Sequence, residues 1–447
     1  MNVLNLLRPE IYELLEDQNW IELREVLLEF PAQDISDLLQ EVDESQRIVL
    51  LRLLPKDVLP EVFSYLDDRL QRDTLKAITE EETRIILAGM PPDDRTDLLE
   101  NLPGQAIQMM LNLLSPEDRK ETLQLLGYPG ESVGRLMTPD YVAIRPEWTV
   151  EKALEHIRRK GFDSETINII YVTDRLWRLL GVIGLRRLIL ASPGEMIEQI
   201  METSVVTISA FDDREKAVEI IQHYDIVALP VVDASNTLLG IITIDDLFDV
   251  AVEEVTEDFQ KSAAVNPLKT SYRESSAWSL YAKRVVWLAS LLAVSVITTG
   301  IISAQEHTLT SAIALAFFIP LLIGTGGNTG NQSATLMIRA LATGDIREGH
   351  WFPAFFREVG IGVLLGLTMG AASWLLGLFK GGIQIALIVS LAMVAIVVVS
   401  SILGVILPVI LQRCRVDPAV ASNPLVASVM DILGLLIYFS IAQAILP

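Results

Sequence analysis

Asp431 stands in the middle of an otherwise uncharged run, Pro418 to Pro447, between Val429-Met430 and Ile432-Leu433. A carboxylate at the centre of a membrane helix costs about 2.5–3.5 kcal/mol on insertion scales, and residues found there usually mark an ion or proton path. No Lys or Arg in the run can pair with it. Asn423-Pro424 lies two helical turns before it, where a proline break would free carbonyl oxygens. One carboxylate with carbonyl and amide oxygens suits a hard cation, and Mg2+ would keep several of its waters in such a site. These residues alone do not separate Mg2+ from Ca2+ or Mn2+.

A second constellation is Pro320-Leu321-Leu322-Ile323-Gly324-Thr325-Gly326-Gly327-Asn328-Thr329-Gly330-Asn331-Gln332. Four glycines and five hydroxyl or amide side chains fall within nine residues of an apolar segment. Broken backbone is tolerated at that depth only where protein buries it or where it lines a wet cavity. Close helix packing explains the glycines. It does not explain Asn328, Asn331 and Gln332. A phosphate-binding loop is excluded, because no Lys-Ser/Thr follows the glycines. Gly327, Asn328, Asn331, Asn423 and Asp431 are the candidate ion-path residues.

These residues need a membrane to sit in, and the composition supplies one. The chain has 447 residues, 51% hydrophobic, yet its net charge is −23. The charge is unevenly placed. Residues 277–447 hold eight Lys/Arg and six Asp/Glu, which leaves −25 on the first 276. An acidic soluble part is joined to an apolar one. This excludes a wholly soluble enzyme, and an acidic surface repels nucleic acid. The single cysteine, Cys414, cannot form an internal disulfide. Met1 to Leu7 has no features of a signal peptide, so the soluble part is expected to stay in the cytoplasm.

Five apolar segments are long enough to span a bilayer: Val285–Gln305, Thr308–Ile338, Val359–Phe379, Gly381–Gln412 and Pro418–Pro447. Lys283, Arg284, Arg339, Arg347, Arg357, Arg413 and Arg415 fall on one side and only Lys380 on the other. The positive-inside rule then puts the N-terminus in the cytoplasm and the C-terminus outside.

The soluble part has two textures. Residues 1–130 read as short helices with proline at the turns (Phe30-Pro31, Leu54-Pro55, Met90-Pro91, Leu102-Pro103), a pattern that predicts a small superhelix. Residues 131–250 alternate apolar strands with helices and repeat themselves. Met137 and Met201 are 64 apart, while Asp174 and Asp233, like Gly181 and Gly240, are 59 apart. Each unit reads β-α-β-β-α, and the duplication resembles a tandem pair of CBS domains, 131–200 and 201–250. A connecting helix is expected from about Asp245 to Tyr272, broken at Asn266-Pro267.

The glycine–asparagine run, Ser333-Ala334-Thr335-Leu336 with Arg339-Ala340-Leu341-Ala342-Thr343, and Asp417-Pro418 with Ser422-Asn423-Pro424-Leu425-Val426-Ala427 resemble MgtE-type magnesium channels. So does the order of parts: helical domain 1–130, CBS pair, connecting helix 251–276 and membrane domain 277–447. The fold class expected is multidomain, an all-α superhelical domain, α/β tandem CBS domains and an α-helical membrane domain of five helices. The resemblance implies a homodimer in the cytoplasmic membrane with Mg2+ as substrate. It implies a pore lined by the second and fifth membrane helices, with Asp431 as pore carboxylate. It also implies an acidic cytosolic gate closed by bound Mg2+. Candidate gate ligands are Glu61, Asp93 and Asp97 on the helical domain, Glu215, Asp225, Asp246 and Asp249 on the CBS pair, and Glu254, Glu257 and Asp258 on the connecting helix.

CBS pairs often take adenine nucleotides through a Gly, Ser/Thr, Asp pattern. The second repeat keeps it as Gly240, Thr243, Asp246. The first has Gly184 for the hydroxyl residue and Arg187 for the acid, which weakens the case for ATP there. A salt partner for Arg187 is as good a reading as a phosphate. Among rivals, an intramembrane aspartyl protease needs two embedded carboxylates, and only Asp431 reads as embedded. Serine hydrolysis lacks a base, since His156, His223, His307 and His350 lie outside the spans. The remaining alternative is a CBS-regulated transporter of another divalent cation or of an anion. Asp431 argues against an anion.

Overall fold

The computed structural model describes residues 3–268, 272, 275–343, 345–346, 351–414, 416–420 and 423–446. Met1, Arg347, His350, Arg415, Ser422 and Pro447 lie outside them. The chain forms two compact units, Met1–Glu253 and Glu254–Pro447.

In the first unit, ten helices run from Val3 to Leu125 among the described residues. Proline sets their starts. Pro31, Pro91 and Pro103 each sit at the N-cap with φ between −51° and −61°. There the fixed φ suits helix entry and the missing N–H is not needed. Thr79 and Glu82 close a capping box at Glu80–Gly89. Helix Ala32–Glu41 packs on Leu59–Ser64, that on Glu80–Gly89, and that on Gly104–Leu113. Through this every-second-helix contact a stack of short amphipathic helices buries one hydrophobic core rich in leucine, from Ile11 to Leu114.

The CBS pair follows as two three-stranded sheets. The first is β1 (Tyr141–Ile144), β2 (Thr166–Thr173) and β3 (Leu179–Gly184); the second is β4 (Ile208–Ser209), β5 (Ala228–Val232) and β6 (Leu238–Thr243). In each the first pair is parallel and the second antiparallel. Ile170 pairs with Ile183 and Leu229 with Ile242, the same register 59 residues on. The repeated aspartates are turn residues. Asp174 Oδ1 accepts from the Leu176 and Arg178 N–H groups, and Asp233 Oδ1 from those of Ser235 and Thr237. Trp177 and Asn236 take the left-handed positions that these turns require, at φ 62° and 61°. Gly181 and Gly240 are required by close backbone approach. A Cβ on Gly240 would stand 2.7 Å from the Thr138 carbonyl, and one on Gly181 would stand 2.6 Å from that of Glu202.

The connecting helix spans Ile244–Ser262, shorter than the sequence suggests. It stops before Asn266-Pro267, where Ala264 turns left-handed at φ 55°. Asn266 instead serves as an anchor, its Oδ1 accepting from Trp287 Nε1 at 3.2 Å.

In the second unit, four helices are long and apolar enough to cross a membrane: Ala277–Ala304, Ile313–Ala342, Phe352–Arg413 and Asn423–Ile445. The 62-residue helix is two, folded back at Gly382, whose φ of 76° and ψ of −171° no helix contains. Five spans result, with Lys380 at that tight turn. Glycines pack the third span onto the fourth. Gly362 meets Ser401, Gly366 and Gly370 meet Val394, and Gly377 meets Ala386.

Candidate ion path and acidic clusters

The second span departs from the expected break. Helix Ile319–Ala342 runs unbroken through the whole glycine–asparagine run. The irregular backbone lies before it, in the 3-10 turn Ile313–Phe318, and Pro320 occupies the first turn. The glycines are there for contact. A Cβ on Gly326 would stand 2.6 Å from Ile396, and one on Gly330 would stand 2.8 Å from Val426 and 3.0 Å from Ser400 Oγ. The opposite side of the same helix is polar. Gly324, Asn328, Gln332, Thr335 and Arg339 recur at three- and four-residue spacing and are exposed in the protomer. Asn331 borders this face, with its Oδ1 shut from solvent and lacking a hydrogen-bond partner among the described residues. A buried acceptor left unpaired costs about 1–3 kcal/mol.

The fifth span is Asn423–Ile445, preceded by the 3-10 turn Pro418–Val420. Pro424 therefore begins this helix and does not break it. Asp431 lies eight residues past Asn423, about 12 Å along the axis at 1.5 Å per residue. Asn423, Ala427 and Asp431 share one face by their four-residue spacing. The second and fifth spans run side by side. Thr335 Oγ1 donates to Asn423 Oδ1 at 3.4 Å, a Cβ on Gly327 would touch Ala427 at 3.5 Å, and one on Gly326 would lie 3.6 Å from Met430. Asp431 is half-buried, and no cation or hydrogen-bond donor reaches its carboxylate among the described residues.

At the end of the connecting helix, carboxylates gather around a lysine that the sequence reading passed over. Lys261 Nζ binds Asp417 Oδ2 at 2.6 Å and also pairs with Glu257. Burial raises the Asp258 carboxyl above its ordinary value, as do Asp417 and Glu257, while Lys261 and Arg339 oppose them. Burial works against the Lys261 ammonium, but Asp417 and Glu257 outweigh it and raise its pKa. Asp417 also accepts from the Ala419 N–H at 2.8 Å, so it caps the turn that leads into the fifth span.

In the first unit a second acidic cluster lies where the helical domain meets the CBS pair. Asp93 is held well above the usual carboxylate range by burial, then by Asp246, Asp94 and Glu165. Its Oδ1 is buried without a partner among the described residues. Asp246 is pushed up to about 7, mainly by burial and further by Asp245, Glu165 and Asp94, although the Thr243 hydroxyl opposes this. Asp97, still reached by solvent, rises to about 6 through partial loss of hydration, then through Asp68, Glu253, Glu100 and Asp94. Asp249 acts on Asp94, whose carboxyl burial also raises. Asp94, Glu165 and Asp245 were not singled out from sequence. Only their charge could have marked them, and the domain has many charges.

Three further candidates lie on other helices. Glu61 is exposed on helix Leu59–Ser64. Glu215 is in the first turn of Arg214–Tyr224 and Asp225 caps its other end at φ 52°, a position asparagine and aspartate favour for conformational reasons. Among the described residues no three His, Cys, Asp or Glu side chains converge closely enough to hold a metal ion directly.

At the nucleotide pattern, Thr243 Oγ1 donates to Asp246 Oδ2 at 2.9 Å and also pairs with Asp245. Asp246 is thus committed both to Thr243 and to the face opposite Asp93. In the first repeat Arg187 pairs with Glu202 at 3.3 Å, the salt partner the sequence allowed for. It lines only a shallow surface hollow with Arg186, Leu190, Ala191, Glu195 and Ile200.

An acidic unit with a CBS pair, followed along the chain by a five-span unit that carries a polar face, is the order of parts of a membrane transport protein. Comparison with known proteins makes this specific. The family profile described as MgtE, divalent cation transporter, matches residues 319–441; the MgtE intracellular N domain matches 30–131; and the CBS domain matches 133–194 and 197–253. The magnesium transporter MgtE of Thermus thermophilus is 41% identical over 98% of each chain. That of Bacillus subtilis is 32% identical over 96% of this chain and 95% of its own. A solved cytosolic domain of the Mg2+ channel MgtE in complex with ATP is 39% identical, covering 54% of this chain and 98% of that one at a TM-score of 0.52. The chain belongs to the MgtE family, whose members are ion transporters and not enzymes.

Proposed function

We propose that this chain carries Mg2+ across the cytoplasmic membrane along the second and fifth spans, with Asp431 as the ion-binding carboxylate. The observation that carries this reading is the pairing of two polar helix faces. Thr335 on one span meets Asn423 on the other, and Gly327, beside Asn328 and one turn before Asn331, faces Ala427 of the side that carries Asp431, inside an otherwise apolar unit. A half-buried carboxylate and an unpaired amide oxygen both lack a partner, and a hydrated cation supplies positive charge to one and water donors to the other. Gly327 lets the two helices approach at this level. An anion path would need cationic side chains along these faces, and the one among their described residues, Arg339, lies in the last turn of the second span, two turns beyond Gln332.

The polar face of the second span is exposed in one protomer, and the first span buries no residue at all. Both features support a homodimer, in which a second copy covers surface unsuited to lipid. The distribution of Lys and Arg supports a cytosolic N-terminus and an external C-terminus. The acidic surfaces support a gate in which cytosolic Mg2+ between Asp93, Asp97, Asp246 and Asp249, and near Glu254, Glu257 and Asp258, favours the closed state. Glu61 and Asp225 have weaker support, because nothing among the described residues gathers them with the rest. ATP is a candidate modulator at the CBS pair, at no more than one site per chain, since Arg187 is occupied by Glu202 and only Thr243 and Asp246 keep the pattern. Calorimetry on the whole protein should find one ATP site or none; two strong sites per chain would contradict this.

The main test is Mg2+ uptake into liposomes. Asp431→Ala should abolish flux while the protein still assembles, because removing a lone embedded carboxylate lowers its desolvation cost. Unchanged uptake at equal protein would remove Asp431 from the path. Equal uptake of Ca2+ or Mn2+ would keep the path and change its ion.

A further inference from the structure

The third apolar segment, Val359–Phe379, begins one residue after Glu358, so the sequence marks Asp431 alone as an embedded acid. The structure revises this. Glu358 is six residues into the third span, half-buried, and its carboxylate points inward. Its Oε1 accepts a hydrogen bond from Ser333 Oγ at 2.6 Å. No Lys or Arg pairs with it among the described residues. Ser333 is buried and belongs to the second span, two residues past Asn331.

The angular relation matters. Successive residues of an α-helix turn by about 100°, so Ser333 projects from nearly the opposite side to Asn331. The second span is gripped on this rear side at two levels. Ser400 of the fourth span donates to the Gly326 carbonyl, and Glu358 of the third span accepts from Ser333 two turns later. Gly404 lets the backbones close up between these spans, since a Cβ there would stand 2.6 Å from the Gly330 carbonyl and from Ser333 Cβ. A helix held at the rear cannot rotate without breaking a charge-assisted hydrogen bond, and such bonds are short and about twice as strong as neutral ones. Packing against glycine alone gives no such rotational stop.

We infer that Glu358 is a positioning residue for the ion path: through Ser333 it fixes the rotation of the second span that presents Asn328 and Asn331 to the Asn423–Asp431 face. This rests on the reading that the second and fifth spans line that path. Glu358 itself need not touch the ion, which predicts an effect on discrimination more than on the presence of flux.

The experiment compares Mg2+ and Ca2+ uptake into liposomes holding equal amounts of folded full-length protein. The variants are Ser333→Ala, Glu358→Ala, Glu358→Gln and the double variant Ser333→Ala with Glu358→Ala, with Asp431→Ala beside them. Ser333→Ala and Glu358→Ala should lower the Mg2+-over-Ca2+ uptake ratio alike, by about ten-fold, the scale of one hydrogen bond to a charged group. The double variant should be no worse than either single, since both remove the same bond. Glu358→Gln, which keeps an acceptor for Ser333, should recover most of the ratio. A role confined to folding would lower yield and leave the ratio per folded protein unchanged. If Glu358→Ala does not assemble, Ser333→Ala deletes only a hydroxyl and decides the matter. A wild-type ratio in Ser333→Ala overturns the inference while Asp431→Ala remains inactive. Normal flux in Asp431→Ala overturns the path reading on which it rests.

Discussion

The two acidic clusters meet the same electrostatic problem with different means. Around Asp93 and Asp246 the carboxylates face one another across a domain boundary with no cation beside them among the described residues, and burial, with their mutual repulsion added, raises their proton affinity. Around Asp417, Glu257 and Asp258 the chain provides its own cation, Lys261, and its ammonium holds Asp417 at 2.6 Å. Protons or metal ions would relieve the repulsion in the first cluster. The second is already latched. An ion that binds a compact state better than an open one shifts the balance toward it, and only by that difference. The difference is greatest where carboxylates from two domains are otherwise unpaired. On the proposed gate, sensitivity to Mg2+ should therefore reside chiefly in the first cluster, and Lys261 should set the resting position of the connecting helix.

The largest effect that would break this contrast is its removal. Combining Asp93→Asn, Asp97→Asn, Asp246→Asn and Asp249→Asn should raise the cytosolic Mg2+ concentration needed for closure by at least about ten-fold, with open flux unchanged, since several ligand–ion contacts of a kcal/mol or more are lost. Flux recorded against cytosolic Mg2+ at fixed gradient measures it. Inhibition at the wild-type concentration would mean that these carboxylates are an ordinary solvated surface.

A smaller effect sharpens the role of the built-in cation. Lys261→Met should leave Asp417, Glu257 and Asp258 uncompensated. Closure without Mg2+ should weaken, and the response to Mg2+ should steepen, by several-fold, as expected from one partly exposed ion pair worth about 1 kcal/mol. A response identical to wild type would reduce Lys261 to a surface ion pair.

The smallest effect is on pH. Asp246 and Asp97 hold protons in the compact state up to about 7 and about 6, against an ordinary value of 3.8. The compact state therefore binds more protons than the open or unfolded one, and its stability falls as pH rises. Their contribution is complete below about pH 4 and is lost as pH passes through 6 and then 7. Hydrogen exchange in helix Pro92–Glu100, in chelator, should show protection about ten-fold greater at pH 5.5 than at pH 7.5, the scale of one pK unit. Saturating Mg2+ should flatten the profile. A profile that rises with pH would place the repulsion elsewhere.

Several features of this protein were legible from residue order alone, for a common reason. Spans, charge asymmetry, the CBS duplication and the proline-started helices are one-dimensional patterns, written in the same local forces that build the elements. The repeat offset of 59 reappears as strand register and as paired left-handed turn residues, because turn chemistry is local. Asp431 stood out because a charge in an apolar run is conspicuous without any structure.

What tertiary structure decided depends on which segments meet. The glycine run contains every composition cue for a broken helix, yet it is helical, because Ile396, Ser400 and Val426 pack where side chains would be. Asp225 reads as one more acid until its backbone conformation shows it capping a helix. Lys261, Asp417, Asp94 and Glu165 are ordinary charges in sequence, and their significance comes from neighbours up to 156 residues away. Glu358 sits at the edge of an apolar run, and no periodicity says whether an edge carboxylate turns to water or inward. That choice was made by the gap at Gly404 and the hydroxyl of Ser333, since burial of a charge is settled by the partners that a fold brings to it and not by the residues beside it in the chain.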